Sequence, residues 1–265
     1  MHLQGTNTYI LGTGPARLLI DSGQGCASWA ELIASLTQQQ NFKICRVLLT
    51  HWHLDHTGGV QDLIHMNPQL KDSIYKHNPD PSQQAIFDGQ KFAVEGATVR
   101  AVFTPGHSHD HMCFVLEEEN ALFTGDTLLG HGTTVVENLW DYMHSLLTMV
   151  ETGAHVGYPG HGAPIPDMQQ KLHQEIGQRK RRERQVLVSL KSIGSRKGGK
   201  GSGTETEIIE AIFGSQLPHN VLEHLKPQMR EILMKMAREK QMGFRFRGGH
   251  KHWFSLTNSD STWAQ

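Results

Sequence analysis

Short apolar runs alternate with polar turns along the first two thirds of the chain. Runs rich in Val, Ile, Leu and Phe predict buried strands, and two longer segments with helical apolar spacing predict helices. The predicted strands cover residues 17–21, 46–50, 73–76, 98–104, 112–116, 121–124 and 155–158, and the predicted helices cover 29–38 and 139–150. Several strands end at Gly, Pro, His or Asp, so polar groups are expected along one edge of stacked sheets.

The last third of the chain has a different pattern. Residues 168–192 predict one long, charged helix, which includes the basic run Arg179–Arg184. Residues 194–203, rich in Gly, Ser and Lys, are typical of a flexible linker and of a domain boundary.

A small unit is predicted beyond the linker. Thr204 can cap a helix that continues to Phe213, residues 223–241 have helical spacing, and residues 244–256 alternate like a hairpin. This order of helix, helix and hairpin is that of a winged-helix module. The predicted organisation is a main domain at 1–193, a linker at 194–203 and a winged-helix-like domain at 204–265.

Composition narrows the classes of partner. The hydrophobic fraction of 37% and the charged fraction of 19% are typical of a globular protein. The net charge of −1 gives no overall electrostatic attraction to nucleic acid or anionic lipid. No apolar run is long enough to span a membrane. The three separated cysteines and the start of the chain favour a reducing, cytoplasmic location without secretion. Histidine, at 18 residues, is the unusual count.

The densest group of polar residues is His51-Trp52-His53-Leu54-Asp55-His56, directly after a predicted strand. Imidazoles two residues apart past a strand can face one metal ion, while the Asp and His that follow reach a neighbouring ion. Three later strand ends carry the ligand types His107, Asp126 and His161. Each is weak alone, but together with the first motif they predict a site for two metal ions.

With Asp21, these motifs resemble the five signature motifs of the metallo-β-lactamase superfamily, over residues 1–166. The resemblance implies an α+β fold, the four-layer αββα sandwich, followed here by the winged-helix-like unit. The family normally has several tens of residues before the string that starts at Leu3, so the first strand of the first sheet is expected to be missing.

The resemblance also implies a role for each matching residue. It assigns His51, His53 and His107 to one metal, it assigns Asp55, His56 and His161 to the other, and it makes Asp126 the bridge. Asp21 matches an aspartate that orients the first motif by hydrogen bonding, and His111 and His109 are interpreted as supporting residues rather than ligands.

Two divalent ions about 3.5–4 Å apart activate a water molecule near neutral pH. Nitrogen and oxygen ligation without a thiolate favours Zn²⁺, although Mn²⁺ or iron also fits such ligands. Asp55 is the candidate catalytic residue, because a carboxylate at this position can also pass a proton to the leaving group.

Further strings resemble fungal polyketide-releasing thioesterases, the group that includes the atrochrysone carboxyl ACP thioesterases. They lie at residues 3–9, 74–77, 88–90, 94–101, 104–108, 110–114, 116–126 and 129–133. This resemblance implies hydrolysis of the acyl carrier protein (ACP) thioester of a non-reducing polyketide synthase product, which releases an aromatic polyketide acid. The partner would be an ACP domain, whose acidic surface is hypothesised to meet Arg179–Arg184.

Two alternatives stay open. The strings at 3–9 and 116–121 and the winged-helix-like tail also resemble a lactamase-like mitochondrial endoribonuclease. On that interpretation, RNA could touch a basic wing formed by Arg245, Arg247, His250, Lys251 and His252. Glyoxalase II-like hydrolysis of a glutathione thioester is the other. Nucleic acid is the less favoured partner, because the aromatic residues of the tail are also explained by a lid or a dimer surface.

Overall fold

The structure is a computed structural model that describes residues 5–197 and 201–256, and the chain divides into two compact units between His173 and Gln174. The strands of the first unit are β1 Tyr9–Leu11, β2 Ala16–Ile20, β3 Lys43–Leu48, β4 Ile74–Lys76, β5 Gln84–Ala85, β6 Lys91–Val94, β7 Ala97–Phe103, β8 Met112–Leu116, β9 Ala121–Gly125 and β10 Val156–Pro159. Its helices are α1 Ala27–Gln39, α2 Leu54–Thr57, α3 Val60–Met66 and α4 Leu139–Glu151, with a 3₁₀ turn at Pro68–Asp72.

The strands of the first unit form two five-stranded sheets, in the orders β1-β2-β3-β4-β5 and β10-β9-β8-β7-β6. Alternation along β2 explains how the sheets pack, because successive side chains point to opposite faces. Leu18 and Ile20 join the core shared with Phe114 and Phe123 of the second sheet. Leu19 faces the other way and joins the core beneath α1 and α3.

The second sheet is covered on both faces, since every residue of β8 and β9 is buried. Helix α4 contributes a stripe of buried apolar side chains, at Leu139, Tyr142, Met143, Leu146 and Met149. The α+β sandwich expected from the sequence is confirmed.

Strand pairing brings distant polar turns to one edge of the sandwich. Strands β9 and β10 are parallel, with Ala121 opposite Val156, so the turns that follow them lie side by side. Strands β2 and β3 are also parallel, with Ile20 opposite Leu48, so the residues after both strands meet at one end. These turns carry the residues predicted to bind metal.

The second unit includes most of α5, Met168–Lys197, together with β11 Ser202–Gly203, α6 Glu205–Phe213, α7 His219–Arg238, β12 Met242–Arg247 and β13 His250–Ser255. Its sheet has the order β11-β13-β12. Val186, Ile208, Leu233 and Trp253 lie in its own apolar core. The predicted order of helix, helix and hairpin is present, and its assignment to the winged-helix class stays a prediction.

Helix boundaries in this unit differ from those expected. Of the predicted linker, residues 194–197 continue α5 and Ser202–Gly203 pair with β13, while residues 198–200 lie outside the described residues. Helix α7 begins at His219 rather than at residue 223, because Pro218 fits the extended position before a helix. The domain boundary at 193 stays a prediction, and contacts divide the chain at 173 instead.

Within residues 5–197 and 201–256, none of the helices combines the length and the apolar composition that crossing a membrane requires.

Candidate metal centre

Three histidine rings converge where β3 and β7 end. His51 Nε2 lies 2.9 Å from His53 Nδ1, and His107 Nε2 lies 3.3 Å and 3.2 Å from those two atoms. Ligand atoms of these residues and of Asp126 all lie within 4.8 Å of one another. We call this set the first group.

Asp55, His56 and His161 form a second group, whose ligand atoms also lie within 4.8 Å of one another. Asp126 faces both groups. Its Oδ1 is 3.4 Å from His56 Nε2, and its Oδ2 is 3.3 Å from His161 Nε2 and 3.8 Å from His107 Nε2. The structure therefore brings all seven predicted ligands together, with Asp126 at the junction.

The far side of each ring fixes which nitrogen is available to a cation. His107 Nδ1 is 2.9 Å from the Val135 carbonyl oxygen and His161 Nδ1 is 2.8 Å from that of Gly5. A carbonyl only accepts, so both Nδ1 atoms carry the hydrogen and donate it. When the rings are neutral, the Nε2 lone pairs of His107 and His161 are therefore directed into the site.

Asp21 organises the first motif from behind. This buried carboxylate accepts hydrogen bonds from the Thr50 amide at 2.8 Å and the Thr50 hydroxyl at 2.9 Å, and lies 2.7 Å from His56 Nδ1. Because Thr50 donates its only hydroxyl hydrogen to Asp21, its oxygen accepts from His51 Nδ1 at 2.9 Å. Asp21 thereby orients His56 directly and His51 through Thr50.

His111 supports Asp126 in a similar way. The Asp126 amide donates to His111 Nε2 at 3.0 Å, so this nitrogen is an acceptor. His111 Nδ1 then carries the hydrogen and faces the Thr104 and Thr127 hydroxyls at 3.0 Å and 3.1 Å. Burial lowers the pKa of His111 well below its ordinary value, which is consistent with a neutral ring. His111 thus fixes the backbone that carries the bridging carboxylate.

The segment before β1 holds the second group in place. The Thr6 hydroxyl donates to Asp55 Oδ2 at 3.2 Å. The Asn7 side-chain amide donates to the carbonyls of Pro159 and Gly162, at 3.0 Å and 2.8 Å, on either side of His161. These contacts and the one from His161 to Gly5 tie the turn that carries His161 to the start of the chain.

A small residue is required where this turn approaches Asp126. A Cβ added at Gly160 would lie 2.5 Å from Asp126 Oδ1 and 2.8 Å from His56 Cε1. Both neighbours are buried and held by other contacts, so neither has room to withdraw. Gly160 allows His161 to reach both carboxylates.

The two groups differ electrostatically. Burial lowers the pKa of both His51 and His107. Burial also opposes protonation of His56, but the Asp21 and Asp126 carboxylates outweigh it and raise the pKa to about 10. His161 behaves likewise beside Asp126 and Asp55, with a pKa raised to about 10. A cation bound at the second group would therefore displace protons from these rings.

Unpartnered polar atoms show that these residues fit a metal ion. Among the described residues, His56 Nε2, His161 Nε2 and Asp126 Oδ1 are buried and make no hydrogen bond of good geometry, although carboxylate oxygens lie 3.2 to 3.4 Å from the two nitrogens. A buried polar atom without a partner is costly unless an ion or water completes it. All donors are nitrogen or oxygen atoms, a set that suits zinc and also admits manganese or iron.

One residue that the sequence singled out lies apart from this site. His109 is exposed, and its Nε2 lies 3.5 Å from the Asn78 side-chain nitrogen. Thr50 was overlooked, although its position between an apolar run and His51 placed a hydroxyl directly behind the motif. The backbone acceptors at Gly5 and Val135 have no signal in the sequence, because every residue carries a carbonyl.

Comparisons with known proteins agree with this geometry. The sequence profile of the Metallo-beta-lactamase superfamily matches residues 3–69 and 65–161. An Aspergillus fumigatus protein named atrochrysone carboxyl ACP thioesterase is 61% identical, over 98% of this chain and 85% of its own length. The atrochrysone carboxyl ACP thioesterase AgnL7 of Paecilomyces divaricatus is 53% identical, over 96% of this chain and 81% of its own.

A solved structure supports the fold. The crystal structure of a beta-lactamase domain protein from Burkholderia ambifaria has a TM-score of 0.75 and 16% identity, and the match covers 95% of this chain and 87% of that one. On the sequence profile, the fold and the strongly similar relatives, this chain belongs to the metallo-beta-lactamase superfamily.

Proposed function

We propose that this chain is a metal-dependent thioesterase that hydrolyses the ACP thioester of a polyketide and releases the free aromatic acid. One observation carries the proposal: a full set of seven converging His and Asp ligands occurs in a chain 61% identical to a protein named as an ACP thioesterase. The geometry supports hydrolysis, and the name of the relative supports the class of substrate.

We assign His51, His53 and His107 to one divalent ion, Asp55, His56 and His161 to a second, and Asp126 to both. Zn²⁺ is the proposed metal. Bound there, the two ions would activate water and polarise the thioester carbonyl. The chain's part is to keep the ring nitrogens directed inward, through Asp21, Thr50 and the backbone acceptors behind each ring.

Thioester hydrolysis makes modest demands on a general acid. The carbon–sulfur bond breaks, a carbon–oxygen bond forms, and the proton lost by water ends on the leaving thiolate or in solvent. Because a thiol has a pKa of about 8.5, it can leave as the thiolate with little prior protonation. Asp55, whose side chain is 34% exposed, is the carboxylate available to carry that proton, and the Thr6 hydroxyl positions it.

The proposed partner is an ACP domain, and α5 offers a basic face for it. Within Arg179–Arg184, Arg179 forms an ion pair with Glu175, and the Arg182 guanidinium stacks on the Phe213 ring. Neither side chain is therefore available to contact the carrier protein. Lys180, Arg181 and Arg184 are exposed, and Lys191 extends the same charge along the helix. Long-range attraction between this basic stripe and an acidic carrier protein would raise the rate of association.

Charge reversal tests this partner. Arg181→Glu with Arg184→Glu is expected to raise KM for an ACP-bound thioester about tenfold at low salt and to leave a small-molecule thioester unaffected. Lys43→Glu with Lys71→Glu is the matched control, since both lysines are exposed in the first unit and the change in net charge is equal. An equal KM for the two double variants would contradict the docking stripe.

The function itself is tested with two substrates in parallel. The protein is incubated with a polyketide synthase that carries its thioester-bound product, and separately with single-stranded RNA, each with and without a chelator. We expect chelator-sensitive release of the polyketide acid and intact RNA. Chelator-sensitive RNA cleavage without product release would overturn the proposal and favour the nuclease alternative.

A further inference from the structure

Large apolar side chains are exposed beside the first group of candidate ligands. Trp52 is 48% exposed and Leu54 is 70% exposed, although both alternate in sequence with buried or half-buried ligands. Val135, on the loop after β9, is 63% exposed. Exposure of large apolar residues beside a polar site is typical of a surface that binds an apolar ligand.

Each of these residues is anchored to a ligand. The Trp52 ring lies edge-on to the His53 ring, with 4.5 Å between the ring centroids. Leu54 is the first residue of α2, directly between His53 and Asp55. The Val135 carbonyl accepts the hydrogen bond from His107. The Trp52 ring and the backbones of Leu54 and Val135 are therefore held beside the metal site.

The loop that carries Val135 runs from one group of ligands to the other. At its start, the Gly130 amide donates to the His161 carbonyl at 2.9 Å. At its end, the Glu137 amide donates to the Gly106 carbonyl at 2.8 Å, one residue before His107. Residues 130–137 thus border the metal site on one side, and the turn with Trp52 and Leu54 borders the first group.

We propose that Trp52, Leu54 and Val135 form an apolar rim that binds the aromatic acyl group of the thioester. This inference rests on the proposed function. A carbonyl held at the metal site would place its acyl substituent next to the ligands, where these residues lie. Trp52 offers a flat face for a ring, and burial of the rim against the acyl group supplies apolar binding energy.

A glutathione thioester has no extended apolar group to cover this rim, and an RNA base could stack on Trp52 but has polar edges, so the aliphatic side chains of Leu54 and Val135 favour the aromatic acyl group as the occupant. Stacking on a tryptophan depends on the acyl group and not on the thiol that leaves. The rim therefore predicts selectivity between acyl groups carried on one and the same thiol.

Two thioesters of N-acetylcysteamine, a naphthoyl and an acetyl ester, separate acyl recognition from chemistry. We expect Trp52→Ala to lower kcat/KM for the naphthoyl ester about tenfold, mainly through KM, and to change the acetyl ester by less than about twofold. Trp52→Phe should retain most of the selectivity. Leu147→Ala is the matched control, because Leu147 on α4 is also 48% exposed and apolar.

Metal content is measured for every variant, since Trp52 lies between two ligands. If Trp52→Ala loses metal, Val135→Ala replaces it, because this change removes only the side chain and keeps the carbonyl that accepts from His107. Equal effects on the two esters with intact metal content would overturn the rim and leave the proposed function standing. Failure of the unaltered protein to hydrolyse either ester would overturn both.

Discussion

Two buried polar clusters, one in each unit, are built in opposite ways. In the first unit, His51 Nε2, His53 Nδ1 and His107 Nε2 approach one another within 3.3 Å. In the second unit, Lys235 Nζ lies 2.7 Å from Glu183 Oε1 and 2.8 Å from Glu239 Oε1. One cluster brings like atoms together, and the other brings opposite charges together.

The difference indicates what each cluster is for. His51 and His107 donate from Nδ1 to Thr50 and Val135, so their Nε2 lone pairs face each other 3.3 Å apart and gain nothing from one another; a cation that both could bind would account for the first cluster. The charge of a lysine between two carboxylates is compensated within the cluster, so no bound ion is needed to account for the second cluster. Both are buried and polar, and only the chemical match of the facing atoms separates a binding site from a structural ion pair.

The largest expected effect is at the first cluster. His107→Ala removes one of the converging nitrogens and should lower thioesterase activity by more than about 1,000-fold, with loss of bound metal. His109→Ala, two residues away and exposed, should retain both. Metal analysis by mass spectrometry and initial rates measure the two effects. Full metal content in the His107 variant would break the contrast between the clusters.

A substitution in the second cluster should lower the stability of that unit without changing thioesterase activity. Lys235→Met leaves Glu183 buried without its cation, and we expect a loss of about 3 kcal/mol in the free energy of unfolding of that unit. Activity per folded molecule should be unchanged. The exposed Lys226–Glu223 pair on the same helix is the control, and Lys226→Met should leave the unfolding midpoint nearly unaltered.

The contribution of Lys235 to the free energy of unfolding should depend on pH, and the direction follows from its pKa. Burial lowers the pKa of Lys235, but hydrogen bonds to Glu183 and Glu239 outweigh it and raise the pKa above its ordinary value. The stabilisation is therefore complete below the pKa of the unfolded lysine and is lost as pH rises through the folded value. Denaturant titrations should show the unaltered protein and Lys235→Met converging at strongly alkaline pH, and a constant gap would contradict the ion pair.

A smaller effect, on metal affinity, is expected at Asp21, which lies behind the candidate ligands. Asp21 has a φ of +57°, a region that asparagine also tolerates, so Asp21→Asn keeps the backbone and removes the charge beside His56. Metal affinity should fall about 10- to 100-fold. Calorimetric titration with Zn²⁺ measures it, with the exposed Asp72→Asn as control. Unchanged affinity would show that Asp21 serves folding only.

The smallest effect is expected at Thr6. Thr6→Val keeps the shape and removes the hydroxyl that donates to Asp55, and affinity for the second metal ion should fall by less than about tenfold. Thr6→Ser should restore it, because serine retains the donor. If valine and serine give the same affinity, the hydroxyl has no part in holding Asp55.

Local patterns predicted much of the fold. Buried strands such as β8 and the helix α4 follow from apolar runs and helical spacing, and the cap at Thr204 is present with Glu207. Strands of two to four residues give little periodicity, so prediction at this length was uneven: β4 and β10 were predicted, whereas β1, β5 and β6 were missed.

The sequence by itself determined the candidate ligands, since strand ends rich in His and Asp and a family resemblance named all seven. Only the tertiary structure decided that they converge, because pairing of β9 with β10 and of β2 with β3 joins turns far apart in the chain. It also decided which nitrogen of each ring faces inward. That choice depends on an acceptor such as the Gly5 carbonyl, 156 residues from His161, and backbone acceptors leave no trace in a sequence.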